Sequence, residues 1–342
     1  QEIRTANPDA VRDAGQVVAG GPSADLSVVI GDLYRQFIAA YSGWVPIMGI
    51  NRVVIGPAHN INGGGQGDPR PSDGPLLRPS AELGAFVRVG MADTALYFHQ
   101  MLDGSCLAPR DHRWAATAAT APVASGHGTF VAGLILQQAP GATVVATQIL
   151  DESGEADSWD VATALVRFAR AGIQVLNLSI ECSTADNAPP LVLSTAIDRL
   201  GWSVQVVAAA GNHNPKDAAG ARRPVWPAAF DDVLAVTAHD AKDAIPDWST
   251  TPELPWVDCV ASGVDVVSTF PPLILSDVQE GIATVGDKAE DSLVSWSGTS
   301  FAAATVTGLI AAEMSSTGAG ARAATARLLR DARRLSGLPC LD

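Results

Sequence analysis

Positive charge is scarce in this chain. Lys and Arg together number 22 against 36 Asp and Glu, a formal net charge of −14. That balance argues against nucleic acid or an anionic membrane surface as the main partner. Lysine is confined to Lys216, Lys242 and Lys288, a compositional bias with no functional reading. Long apolar runs are missing too. No stretch reaches the roughly 18 uninterrupted apolar residues of a membrane span. Gln1 to Asp13 is polar and charged, without the apolar region of a signal peptide. The first residue is not Met, so something upstream is expected to have been removed or left out, and the compartment, cytoplasmic or secreted, stays open. Cysteine is sparse: Cys106, Cys182, Cys259 and Cys340 stand far apart, without the paired close spacing of a zinc site. Three complete disulfide connectivities are compatible with them, and so are four free thiols. There is no internal repeat.

The 342 residues are 47% hydrophobic, enough for one large domain or one domain with an extension. Residues 1 to about 80 differ from the remainder. A helix is expected over 32–40 and a strand over 51–55. The Gly-, Pro-, Asn- and Asp-rich stretch from Asn60 to Pro75 then disfavours any regular element and marks a linker. The expected division is an N-terminal extension, 1–80, acting as a pro-segment or accessory region, and a main domain, 81–342.

Past the linker, strand and helix alternate. Strands are expected over 85–91, 142–150, 173–180, 204–210, 233–237 and 264–268. Helices are expected over 128–136, 158–171, 190–200, 301–312 and 319–334. Near-continuous apolar strands between helices indicate an α/β fold: three layers, with a mostly parallel sheet covered by helices on both faces.

Functional groups in such a sheet gather at the carboxyl ends of the strands. Asp93 follows the strand Val87 to Ala92. His127 lies between glycines in Ser125-Gly126-His127-Gly128, where a helix begins. Asn212 ends Ala208-Ala209-Ala210-Gly211-Asn212, just after a buried strand. Ser300 sits in Ser297-Gly298-Thr299-Ser300, where a loop feeds an apolar helix. Unpaired N–H groups and the positive end of the helix dipole collect at that point, which suits a hydroxyl that must become an alkoxide. Singly, these residues read as an N-cap, turn residues or a helix-start histidine. Together they supply a nucleophile, a base, an orienting carboxylate and an amide donor.

These segments resemble the subtilisin-like serine proteases, the subtilases. The order Asp93, His127, Asn212, Ser300 matches the family's triad order, with the oxyanion Asn between His and Ser. His127-Gly128-Thr129-Phe130-Val131-Ala132-Gly133 and Gly298-Thr299-Ser300-Phe301-Ala302-Ala303 are close to the family motifs. Asn177-Leu178-Ser179, Trp226-Pro227-Ala228-Ala229 and Gly263-Val264-Asp265-Val266 agree as well. The resemblance covers about residues 83 to 316. Ala95, Glu181, Ser262 and Ala304 depart from the family pattern, and Phe270 to Asp291 reads as an insertion ahead of the nucleophile.

The resemblance implies a serine endopeptidase acting on a protein or peptide substrate. Asp93, His127 and Ser300 would be catalytic, and Asn212 would be the oxyanion donor. Ser179, Ile180, Glu181, Ala209, Ala210 and Gly211 would border the bound peptide, with Glu181 favouring a basic side chain. No cofactor is implied. Calcium occurs in many members of the family, but no dense Asp-rich loop here offers it a site, so no metal ligand is assigned. Oligomeric state is not legible. The alternative is a catalytically silent binding or scaffold protein on the same fold. An esterase on a hydrolase fold would need a Gly-x-Ser-x-Gly elbow and the chain order Ser, Asp, His, and neither is present.

Overall fold

Strands with apolar residues at every position must be covered on both sides, and that requirement sets this architecture. The computed structural model describes residues 26–56, 67–74, 76, 79–108, 123–184, 186–213, 223–271 and 293–342. Two units divide the chain, one through Asn51 and one from Arg52. In the first, helix α1 (Leu26–Ala40) leads into a turn, and the rings of Phe37, Tyr41 and Trp44 lie 5.6–6.0 Å apart.

The second unit opens with short strands β1 (Val53–Ile55) and β2 (Arg70–Pro71), then β3 (Arg88–Asp93) and β4 (Cys106–Leu107). Helix α2 (His127–Gln138), β5 (Thr143–Gln148), β6 (Glu155–Asp157) and α3 (Ser158–Phe168) follow. Next come β7 (Val175–Leu178), β8 (Cys182–Ser183), α4 (Leu191–Leu200), β9 (Gln205–Ala209), β10 (Val225–Trp226), β11 (Val233–His239), β12 (Cys259–Ser262), β13 (Val266–Thr269) and β14 (Leu293–Trp296). The chain ends with α5 (Thr299–Thr317), α6 (Ala321–Asp331), β15 (Arg333–Leu335) and β16 (Leu338–Leu341).

Nine strands form the central sheet in the order β15-β16-β12-β11-β9-β7-β3-β5-β4. All its pairings are parallel except β15 with β16. Side chains alternate across it. Val175, Val207 and Ala209 join one core with α2, α5 and α6, and Leu176, Val206 and Ala208 join the other with α3 and α4. This is the three-layer arrangement that the strand–helix alternation implies.

Residues 52–80, grouped with the extension on sequence, supply β1 and β2. β1 pairs with β6, and Ile55 exchanges backbone hydrogen bonds with Glu181 at 2.9 and 2.8 Å. Arg70–Pro71, inside the stretch expected to hold no regular element, pairs antiparallel with β14. β2 lies at the edge of its sheet, where a proline without an N–H is tolerated. The terminal helix expected over 319–334 stops at Asp331. Ser336 and Gly337 both take positive φ, 51° and 86°, and make the two-residue turn of the β15–β16 hairpin. Residues 57–66 of the linker and 272–292 of the insertion lie outside the described residues.

Candidate active site

Period-two alternation puts Asp93 on the same face of β3 as Val89 and Met91, the face covered by α2 and α5. His127 is the first residue of α2 and Ser300 the second of α5. All three are buried: Asp93 is 0% exposed, His127 2% and Ser300 1%. His127 Nδ1 lies 2.7 Å from Asp93 Oδ1, which also accepts the Thr94 N–H at 2.7 Å. A carboxylate only accepts, so Nδ1 carries the hydrogen, and in the neutral imidazole Nε2 then bears the lone pair. Thr94, not singled out on sequence, also ties the two segments together. Its hydroxyl donates to Ser125 O at 3.1 Å and accepts the Gly128 N–H at 2.8 Å.

The imidazole lies 5.5 Å from the ring of Phe301, the residue after Ser300, and 5.8 Å edge-on from Trp296. Among the described residues, His127 Nε2 and Ser300 Oγ are buried polar atoms without a hydrogen-bond partner. Buried polar groups are normally satisfied, so each of these two atoms is one that could serve a ligand. A hydrogen bond between nucleophile and base is commonly long or absent until substrate is bound.

Asn212 follows β9. Its Oδ1 accepts from both the backbone N–H and the hydroxyl of Thr299, each at 3.0 Å. A backbone N–H can only donate, so this contact fixes which end of the amide is oxygen. Nδ2 is thereby turned toward Gly298, where a Cβ would come within 3.8 Å of it. The Thr299 hydroxyl also accepts the Gly211 N–H at 3.2 Å, so one side chain holds the strand end on which Asn212 sits. Thr299 is part of the Gly-Thr-Ser signature, but its role as a clamp is a tertiary fact.

The remaining residues expected near the site divide in two. Ser179 is buried, accepts from the Asn177 amide and donates to Ser300 O at 3.3 Å. Glu181 is only 7% exposed, and its Oε2 accepts the Asn212 N–H at 3.2 Å. Gly211, with φ of 101°, lets that carboxylate approach, since a Cβ there would stand 3.0 Å from Oε2. Ile180, Ala209 and Ala210 are fully buried, and Ile180 packs in the core beneath α4 with Val54 and Leu193. Those three can offer a ligand little beyond their backbone.

The sequence model of the subtilase family matches residues 84–334. The chain belongs to that family. Among similar subtilases, the thermophilic serine proteinase of Bacillus sp. (strain AK1) is 34% identical over 158 residues, 43% of this chain and 36% of that protein. Thermitase of Thermoactinomyces vulgaris is 32% identical over 157 residues, 43% of this chain and 52% of thermitase. The matches thus span between about a third and a half of these relatives. In three dimensions the fold is similar to fervidolysin of Fervidobacterium pennivorans, a keratinolytic enzyme related to subtilisin, with a TM-score of 0.61 and 22% identity over 76% of this chain and 42% of fervidolysin. It is also similar to the prenylagaramide maturation protease PagA, with a TM-score of 0.60 and 21% identity over 77% of this chain and 94% of PagA. At these identities the two structures speak for the subtilase fold alone.

Of the departures from the family pattern, Ala304 is buried within α5 and Ser262 ends β12. Glu181 is the one whose side chain reaches the segment carrying Asn212.

Proposed function

We propose that this subtilase is a serine endopeptidase. The observation that carries the reading is the buried 2.7 Å contact of Asp93 with His127, whose other ring nitrogen has no hydrogen-bond partner, on the face where Ser300 opens α5. Ser300 Oγ attacks the scissile carbonyl while His127 Nε2 takes its proton and later delivers it to the leaving amine. Asp93 keeps the imidazole in the required tautomer and stabilises the imidazolium. The Asn212 amide and the Ser300 N–H, at the positive end of α5, receive the oxyanion. The substrate is an extended peptide lying past Ser179 to Glu181 on one side and Ala209 to Gly211 on the other.

Ser300→Ala is expected to leave the fold intact and lower casein-type hydrolysis by about a million-fold. A fluorophosphonate probe should label native wild type at Ser300 and fail after heat denaturation. Undiminished hydrolysis by the mutant would remove Ser300 as the nucleophile. Native protein that the probe does not label would favour a silent scaffold.

A further inference from the structure

A second cluster of reactive side chains straddles β12, between β11 on one side and the β15–β16 hairpin on the other. His239 ends β11, and Cys340 and Asp342 close the chain along β16. The register explains how they meet. Thr237 pairs with Val260 and Val260 with Cys340, so Cys340 shares a sheet face with Thr237 and, two residues on, His239. Ser262, level with His239 on the intervening β12, is small enough for the imidazole to cross it.

We propose that His239, Cys340 and Asp342 form a binding site for a divalent cation of the zinc class. The donors are an imidazole nitrogen, a sulfur and a carboxylate oxygen, a mixed set that suits Zn²⁺ rather than the all-oxygen shells of Ca²⁺ or Mg²⁺. Zinc bond lengths at tetrahedral angles require ligand separations of about 3.5 Å for N to S, about 3.5 Å for S to O and about 3.3 Å for N to O. Cys340 Sγ lies 3.5 Å from His239 Nε2 and 3.4 Å from Asp342 Oδ2. The third edge, His239 Nε2 to Asp342 Oδ1, is 2.7 Å, a hydrogen-bond distance. The two edges to Asp342 end on different oxygens, but one ligand atom from each of the three residues lies within 4.8 Å of the others, and a rotation of the carboxylate that presents a single oxygen to both partners completes a three-ligand face.

The surroundings fit this use. His239 Nδ1 lies 2.7 Å from Asp240 O, and a carbonyl only accepts, so Nδ1 carries hydrogen. This is the outer contact that orients metal-binding imidazoles and leaves Nε2 for the metal. Arg333 bonds both Asp342, at 2.6 Å, and Asp243, at 2.8 Å, so Asp243 offsets much of its charge. One cation and two carboxylates leave one negative charge. A thiolate adds a second, and a dication cancels both. A thiol that coordinates a metal is ionised outright. On binding, the Sγ–H proton and the proton bridging Nε2 and Oδ1 pass to solvent, and two lone pairs take the metal. The bound ion would fasten the β15–β16 hairpin to β11.

The full chain carrying Ser300→Ala, which prevents self-digestion, is stripped with chelator and titrated with Co²⁺ and then Zn²⁺. The expected result is one equivalent of Co²⁺ bound with a thiolate-to-cobalt charge-transfer band. Zn²⁺ should displace it and raise the melting temperature. Cys340→Ser should abolish the band, and Asp342→Asn should weaken binding at least tenfold, while Cys106→Ser changes neither. If Cys340→Ser does not fold, Asp342→Asn, at a partly exposed position, carries the test alone. A wild type without the band, a band that survives Cys340→Ser, or affinity unchanged by Asp342→Asn overturns the site.

Discussion

At the scale of single residues, the notable feature is how few side chains fix the reactive groups. Thr299 makes three of the contacts that hold Asn212 and Gly211. Thr299→Val keeps the shape and deletes the hydroxyl, releasing the amide to turn away from the proposed oxyanion site. Turnover should fall about tenfold, or about 1.4 kcal/mol of barrier, with KM little changed. Thr299→Ser should restore it. A valine variant that turns over as fast as wild type would show that the backbone N–H of Thr299 suffices. Glu181 is the second such residue. Its carboxylate is held largely out of water against Asn212, so it is felt more strongly than a solvated pair, which contributes about 0–1 kcal/mol. Profiled on a peptide library, Glu181→Gln should lose about tenfold in its kcat/KM preference for a basic over an uncharged side chain next to the cut. Matching profiles would exclude Glu181 from selecting substrate.

At the scale of elements, α5 is the structural axis. Buried from Thr299 to Gly308 along nearly its whole girth, it carries Ser300 at one end and packs across α2, which carries His127. Gly308 lies at their crossing, where a Cβ would stand 2.6 Å from both Gln138 Cβ and Ile135 O. Gly308→Ala gains about 1 kcal/mol in helix propensity. Overpacking a tight contact costs about 1–3 kcal/mol, and a backbone oxygen cannot rotate away, so the clash should win. The urea midpoint should drop at unchanged slope, and activity should fall with it as the two helix starts shift apart. A midpoint equal to or above wild type would mean the helices can separate at no cost.

At the scale of the whole molecule, the larger unit begins at Arg52 and takes β1 and β2 from the stretch before residue 80. Ile55 braces Glu181 through two backbone hydrogen bonds, and the indole of Trp296 donates to Gly67 O at 3.0 Å. A protein comprising 52–342 is therefore expected to fold and to melt close to the full chain. One comprising 81–342 should melt several degrees lower and cleave peptides more slowly, because the support under Glu181 and Trp296 is gone. Equal melting temperatures for the two truncations would make β1 and β2 dispensable. A rise in activity of 52–342 over the full chain would mark residues 1–51 as an inhibitory segment.

The chain order of Asp93, His127, Asn212 and Ser300, the alternation of strand and helix, and the uncharged run of α5 from Phe301 to Ala312 are local properties, so the sequence by itself determined them. Hydrophobic periodicity also foretold the two-faced sheet, because a strand that is apolar at every position has no other place to go. What escaped were features that depend on a distant partner. Arg70–Pro71 becomes a strand only because β14 offers it an edge, and 333–335 leaves the helical pattern only because Ser336-Gly337 turns the chain back on itself. The turn of the Asn212 amide is set by Thr299, and the carboxylate of Glu181 is drawn inward by Asn212 N–H. Cysteine spacing gave no hint of a ligand cluster at His239, because 101 residues separate it from Cys340. Only the parallel register of β11, β12 and β16 brings the imidazole and the thiol to one face, since contacts between strands are decided by pairing and not by distance along the chain.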